Sequence, residues 1–262
     1  MNKIYCIGDL HGNAKPIYRL NQKVHLDETD IVILLGDVGL NCYLDPRDNK
    51  PKQDLSQYPC KFYCLRGNHE QRPSLIPGMY LVTQAGGYMY KEDRFPNIYY
   101  FMDIPEEYNI GGYSILTLPG AYSVDKNYRL QNGWTWFPHE QLSEEEWYNF
   151  VCDRTNIHEY DIVLSHTCPL SWEPTDLFLD FIDQSKVDNN MEKWFQELEY
   201  QIDYKLWLWG HFHKTRVYPL STSSCGGQPV MLYNDAYLDL DDGMLKLLKD
   251  EYIGESIYGF TS

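Results

Sequence analysis

KIYCIGDLHGN, residues 3–13, passes directly from an apolar run suited to a buried strand, Ile4 to Gly8, into a turn carrying a carboxylate at Asp9 and an imidazole at His11. The same transition recurs in DIVILLGDVG (30–39), KFYCLRGNHE (61–70), DIVLSHTCP (161–169) and KLWLWGHFHK (205–214). Each strand-like run ends in Gly or Ser near an Asp, Asn or His. In an open α/β sheet, sites are built in the crevice outside the carboxyl ends of the strands, so these endings are expected to converge.

Outward from these runs, the pattern predicts a helix over about Ala14–Val24 and an irregular surface connection over Asn41–Pro59, which is rich in Asp, Pro, Asn and Lys without a period. Strands are expected near Tyr88–Tyr90, Ile98–Met102 and Ser114–Leu118. Ser143 followed by Glu144, Glu145 and Glu146 has the form of a capping box and starts a helix running towards Asn156. A further helix over about Met191–Gln201 and a β-rich end that includes Val230–Leu240 follow. A single domain is expected over residues 1–262, with an aromatic-rich insertion at about 120–140. Within it AYSVDKNYRLQNGWTWFP (Ala121–Pro138) fits neither helical nor strand period, and it either shapes a substrate pocket or tucks its tryptophans into the core.

Singly, an Asp-x-His or a His-x-His is weak, because a lone histidine beside a strand is more often structural than a ligand. Jointly the motifs collect five histidines, His11, His69, His166, His211 and His213, together with Asp9, Asp37 and Asn68; His25, His139 and His158 lie outside them. Such a mixed oxygen and nitrogen set suits manganese, iron, zinc or nickel better than calcium.

The ordered set resembles the calcineurin-like metallophosphoesterase superfamily, whose pattern is D-x-H, G-D, G-N-H-E/D, a later histidine and G-H-x-H; here it spans Gly8 to Lys214. The resemblance implies an α/β fold, a four-layer α-β-β-α sandwich of two mixed β-sheets flanked by helices, with two divalent metal ions at one edge. By that likeness Asp9, His11 and His213 hold one ion, Asn68, His166 and His211 hold the other, and Asp37 bridges them. His69 is then the catalytic histidine, and manganese the expected ion. The implied reaction is hydrolysis of a phosphomonoester or phosphodiester by a metal-bridging hydroxide. Two ions about 3.5–4 Å apart can clamp a phosphoryl group and lower the pKa of bound water towards about 7. His69 can protonate the departing oxygen. Arg66 and Arg129 are candidate phosphate contacts by their bidentate forks, although Arg66 can equally pair with Glu70.

LRGNHE (65–70) also looks like the matching stretch of serine/threonine phosphoprotein phosphatases, but GDVGLNC (36–42) lacks the G-D-x-x-D-R-G pattern found there. The GNHE and SHTCP pieces are similar to RNA lariat debranching enzymes of the same superfamily. A formal charge of −16 argues against a broad nucleic-acid surface, so a phosphorylated small molecule or nucleotide is the expected substrate. A non-catalytic scaffold would be expected to have lost a ligand, and a structural zinc site would be closed and cysteine-rich; neither description fits this set.

Seven cysteines include no CxxC pair, and Cys60 and Cys64 are spaced to face one side of a strand as core residues. No apolar run approaches the roughly 18 residues needed to cross a bilayer. The first strand begins almost at Met1, leaving no room for a standard signal, so a cytoplasmic location is expected.

Overall fold

Alternating side chains of the motif-bearing strands go to two different cores. Ile4, Cys6, Ile33 and Leu65 share one apolar cluster with Ile162, Leu164, Leu206 and Leu208, which belong to the other sheet. Tyr5, Ile7, Val32, Leu34, Phe62 and Cys64 point the opposite way and pack with Ile17, Leu20 and Leu55 of two helices. On the far side, Val163, Trp207 and Trp209 pack with Trp147, Phe150, Met191 and Phe195 of two more. Both faces of each sheet are thus covered, which is why these strands read as continuous apolar runs. The result is the four-layer α-β-β-α sandwich. The computed structural model from which this is drawn describes residues 3–152, 159–223 and 226–248, with the backbone of 255–256.

In the first sheet β1 (Ile4–Ile7), β2 (Ile31–Leu35) and β3 (Lys61–Leu65) run parallel. Beyond β3 the sheet continues through three strands, β4 (Tyr80–Gln84), β5 (Gly87–Lys91) and β6 (Ile98–Tyr100), of which β6 is parallel to β3 and the others alternate. The second sheet takes the hairpin β7 (Glu106–Ile110) and β8 (Tyr113–Leu118), then β9 (Glu159–Ser165), β10 (Asp203–Trp209), β11 (Arg216–Val217) and β12 (Gln228–Met231). Strands β8, β9, β10 and β12 are parallel, and β7 and β11 flank them antiparallel. The chain then returns to the first sheet, where β13 (Ala236–Asp239) pairs antiparallel with β1 and is followed by β14 (Met244–Leu247) and β15 (Glu255–Ser256).

The helices are α1 (Lys15–Val24), α2 (Asn49–Ser56), α3 (Lys126–Gln131), α4 (Glu144–Cys152) and α5 (Asn190–Glu199). The capping box at α4 is present in both directions: Ser143 N donates to Glu146 Oε2 at 2.8 Å, and Glu146 N donates to Ser143 Oγ at 3.2 Å. Cys60 and Cys64 are both buried in the core beneath α1 and α2, as their spacing required.

Three expectations need correction. The connection 41–59 is not wholly irregular: the Asp48 carboxylate accepts from the backbone N–H groups of Cys42, Tyr43 and Leu44, and α2 follows with Leu55 buried. The Asp48 bonds are local turn contacts, which leave no hydrophobic period in a short segment. Likewise 121–138 contains α3, a single short helix with no buried residue. Strands β4 and β7 were not anticipated: β4 carries mostly exposed residues without clean alternation, and β7, which buries only Tyr108 and Ile110, is too short a run to stand out before it pairs with β8. The continuation of α4 to Asn156, His158, Cys225 and the side chains of the stretch from Tyr252 lie outside the described residues. Among those described, no helix is long and apolar enough to cross a membrane.

Phe62, fully buried on β3 between sheet and helices, tests this layering. Phe62→Ala should lower unfolding free energy by about 3–5 kcal/mol in urea titration, against less than about 0.5 kcal/mol for Tyr148→Ala on the exposed side of α4. Equal effects would contradict the assigned core.

Candidate metal centre

The five motif loops leave the carboxyl ends of β1, β2, β3, β9 and β10 and are stitched together there by backbone. His11 N donates to Asp37 O at 2.8 Å and Gly12 N to Val38 O at 2.8 Å, joining the first two loops. Gly210 N donates to His166 O at 3.1 Å, joining the last two. Between the sheets, His166 Nδ1 lies 2.7 Å from Leu35 O, and His211 N donates to Asp9 Oδ1 at 3.0 Å.

Five of the residues in these turns have a left-handed backbone: Asp9 (φ 46°), His11 (48°), Asp37 (47°), His211 (69°) and His213 (54°). Side-chain-bearing residues adopt this region at a cost of about 1–3 kcal/mol each, and such strain clusters at functional sites. Two glycines make room for the approach. A Cβ at Gly36 would sit 2.2 Å from His166 Nδ1, and one at Gly67 would sit 2.1 Å from Asp37 Oδ1.

All seven residues expected as ligands are brought together. Asp9, His11 and His213 offer donor atoms within 4.8 Å of one another, and so do Asp9, Asp37 and His166; either group can hold a metal ion. Asn68 lies alongside. Its amide nitrogen donates to Ser123 Oγ at 2.9 Å, which turns Oδ1 towards His166 Nε2 at 3.0 Å and His211 Nδ1 at 3.1 Å. His11 Nε2 faces His213 Nε2 at 2.9 Å.

This convergence of lone pairs fits a cation. Desolvation against the cluster, with the neighbouring imidazoles, pushes His11 down to about 4 despite Asp37; it likewise takes His211 well below its usual range and lowers His213, although His11 and His213 each keep an exposed face. All three are therefore neutral donors at pH 7. Burial also pushes the Asp9 carboxyl up to about 8. Burial raises Asp37 too, but His69, His166 and His11 outweigh it and hold that carboxyl well below the carboxylate range. Burial would lower His166, yet Asp37 and Asp9 raise it to about 9. Two buried carboxylates and a buried imidazole thus interact strongly with one another.

His69 stands at the edge of this cluster, its Nε2 3.6 Å from Asp37 Oδ2 and its backbone N–H donating to Asp37 Oδ1 at 3.0 Å. Its Nδ1 is buried and has no hydrogen-bond partner. Both arginines named above go elsewhere. Arg66 is buried, donates through Nη1 to Glu140 O at 2.6 Å and sets Nε 3.7 Å from Asp103 Oδ1; it neither lines the cleft nor pairs with Glu70. Arg129 folds back on its own insertion, Nε to Thr135 O at 2.9 Å and Nη1 3.4 Å from Asp125. An arginine reads the same in sequence whether its fork meets a phosphate or a loop carbonyl.

Two features were missed. Glu70 is a buried clamp: Oε1 accepts from Gly39 N at 2.7 Å and Oε2 from Gly67 N at 3.3 Å, tying the second loop to the third. The cleft beside the cluster, about 340 Å³, is walled mainly by 173–188, a segment of short 3₁₀ turns, with Phe212 opposite. Its one sequence signal is the run LFLDFI (177–182), too short and too interrupted by acid to be assigned an element. The insertion contributes Tyr122, Val124 and Asp125 to that cleft, while Trp134 is exposed and Trp136 is drawn away by its bond to Glu140 Oε2 at 2.8 Å.

Among curated proteins no sequence matches this chain. Solved structures similar to it include a dimetal phosphatase from Danio rerio, 13% identical over 94% of this chain and 95% of that one with a TM-score of 0.49. Another is the phosphopantetheinyl hydrolase of Mycobacterium tuberculosis, 15% identical over 89% and 90% with a TM-score of 0.42. The sequence model of the calcineurin-like phosphoesterases matches residues 2–215, from β1 through the His-x-His turn after β10. With that span, the chain belongs to the calcineurin-like phosphoesterase family, metal-dependent enzymes that hydrolyse phosphoesters.

Proposed function

We propose that this enzyme hydrolyses a phosphoester of a small molecule at a two-metal centre formed by Asp9, His11, Asp37, Asn68, His166, His211 and His213, with His69 as the catalytic histidine. The observation that carries this reading is the convergence of those donor atoms beside a cleft that Asp37, Asn68, His211 and His213 line. Asp9, His11 and His213 form one ligand group and Asn68, His166 and His211 the other, with Asp37 between them. Two bound divalent ions neutralise the oxygens of a phosphoryl group and supply water of lowered pKa.

The protein's own groups supply position. Leu35 O accepts from His166 Nδ1 and leaves Nε2 directed at the cluster; Ser123 orients Asn68; Glu70 holds the turns that present Asp37 and Asn68. His69 lines the cleft beside Asp37 and can hold the proton that passes to the departing oxygen. Phe178, Leu179, Ile182 and Phe212 offer the departing group an apolar surface. No lysine or arginine lines the cleft among the described residues, which favours a small substrate over a nucleic acid.

Purified protein should contain about two metal ions per chain and, with Mn²⁺, hydrolyse p-nitrophenyl phosphate or bis-p-nitrophenyl phosphate; the faster ester assigns phosphatase or phosphodiesterase. Absence of turnover with every divalent ion tried would remove the enzyme reading. Asp37→Asn should lose metal and, with it, about 100-fold or more of turnover. His69→Ala should lose about 10²–10⁴-fold in kcat while keeping both metals; loss of metal in that variant would make His69 a ligand.

A further inference from the structure

The side-chain amide of Asn68 can face the ligand cluster in two ways that differ little in shape, because its oxygen and its NH2 group are nearly the same size. Only the oxygen can serve a metal ion. What chooses between them lies outside the five motif loops, in the insertion. Asn68, Ser123 and Glu140 are 2%, 1% and 3% exposed, so bulk water cannot stand in for a missing partner and the polarity of each bond among them matters.

Glu140 is the fixed end of this chain of bonds. Its Oε1 accepts from Ser123 N at 3.0 Å and its Oε2 from Trp136 Nε1 at 2.8 Å. Each carboxyl oxygen thus meets an N–H that can only donate, which makes the group an acceptor on both sides. Burial raises this carboxyl from its ordinary value, and the bonds from Ser123 and Trp136, with Lys126 nearby, oppose that rise. The Ser123 hydroxyl has one hydrogen, and Oε2 at 2.5 Å takes it. Only lone pairs then remain on Oγ for Asn68. Nδ2 of Asn68, 2.9 Å away, therefore donates to Ser123, and Oδ1 is turned towards His166 and His211. The same glutamate also holds the backbone of that loop: its carbonyl accepts from Arg66 Nη1 at 2.6 Å, two residues before Asn68.

We infer that Glu140 is a positioning residue of the metal centre, whose carboxylate orders the Ser123 hydroxyl and through it fixes the Asn68 amide with its oxygen towards the ion shared with His166 and His211. This rests on the reading of Asn68, His166 and His211 as one ligand group. Polarity passes along the chain from Glu140 to Asn68. A glutamine at that position that offers its NH2 to Ser123 reverses the hydroxyl, which then donates to Asn68 and draws the amide oxygen away from the ion. A carboxylate in place of the Asn68 amide has oxygen on both sides and nothing to reverse.

The test is Mn²⁺ binding to the metal-free full chain by titration calorimetry, with the fold checked by circular dichroism. Trp136→Phe removes the indole donor, so that when Glu140→Gln is added the glutamine carbonyl takes Ser123 N–H and its NH2 meets Ser123 Oγ. Relative to Trp136→Phe alone, adding Glu140→Gln should weaken one of the two ions by about 10–100-fold, the loss typical when the partner behind a ligand is changed, and leave the other nearly as it was. With Asn68→Asp also present, the same change should cause no weakening. Ser123→Ala, which leaves the Asn68 NH2 without its acceptor, should follow the same rule and serves if the glutamine variant does not fold. Weakening of equal size with and without Asn68→Asp would mark general damage to packing and overturn the relay, as would unchanged binding of both ions in every variant. Native protein that takes up no Mn²⁺ would overturn the two-metal reading and the relay with it.

Discussion

The arrangement at the site hangs on how closely the two sheets approach at the carboxyl ends of their central strands. His166, at the end of β9, reaches across to the last carbonyl of β2 with 2.7 Å between Nδ1 and Leu35 O. That single bond selects the ring orientation and leaves Nε2 directed at the centre. It also requires the absence of a side chain at Gly36, whose Cβ would occupy the place of the imidazole. The inter-sheet core of Ile4, Ile33, Ile162 and Leu208 holds the distance from behind. Hydrophobic packing thus fixes a polar geometry several residues away, and the packing is rigid enough to do so because interiors are filled at crystal-like density.

Bringing Asp9, Asp37, His166 and His211 together has a free-energy cost. Asp9, Asp37 and His166 are removed from water and His211 partly so, and Asp9, Asp37 and His211 adopt left-handed backbone as well. Stability must come from the three apolar clusters, and divalent ions bound there would return part of it, since anything that binds the folded state alone stabilises that state. Turns that are strained but bonded to each other, as the first is to the second through His11 N and Gly12 N, present donors in a fixed array rather than collapsing around an ion.

The cleft adds a second layer of selection. A metal centre recognises phosphoryl groups in general, so discrimination must come from what surrounds the rest of the substrate. On the proposed reading that surface is the cleft, assembled from 173–188, the start of α5 and Phe212 and anchored partly by the two-pronged Arg216 to Asp176 pairing at 2.8 and 2.7 Å. None of it is a regular element beyond one helical turn, which is usual for segments that carry specificity on a rigid scaffold.

The sequence by itself determined the parallel strands that bear the motifs, the helices α1, α4 and α5, and the chemical type of the centre. Those features are local or repeated: an apolar run of five residues, a Ser143–Glu146 capping box, an Asp, Asn or His placed just past a strand end. The tertiary structure alone decided the fate of the arginines and the identity of the cleft. Arg66 and Arg129 were plausible phosphate contacts until carbonyls of Glu140 and Thr135, 74 and 6 residues away, claimed them. Glu70 stands in the GNHE motif and Glu192 in no motif, yet the burial and partners of both arise only when distant segments close over them. A ligand type is written in the residue, whereas hydrogen-bond partners and desolvation depend on which parts of the chain meet, and no local pattern encodes that.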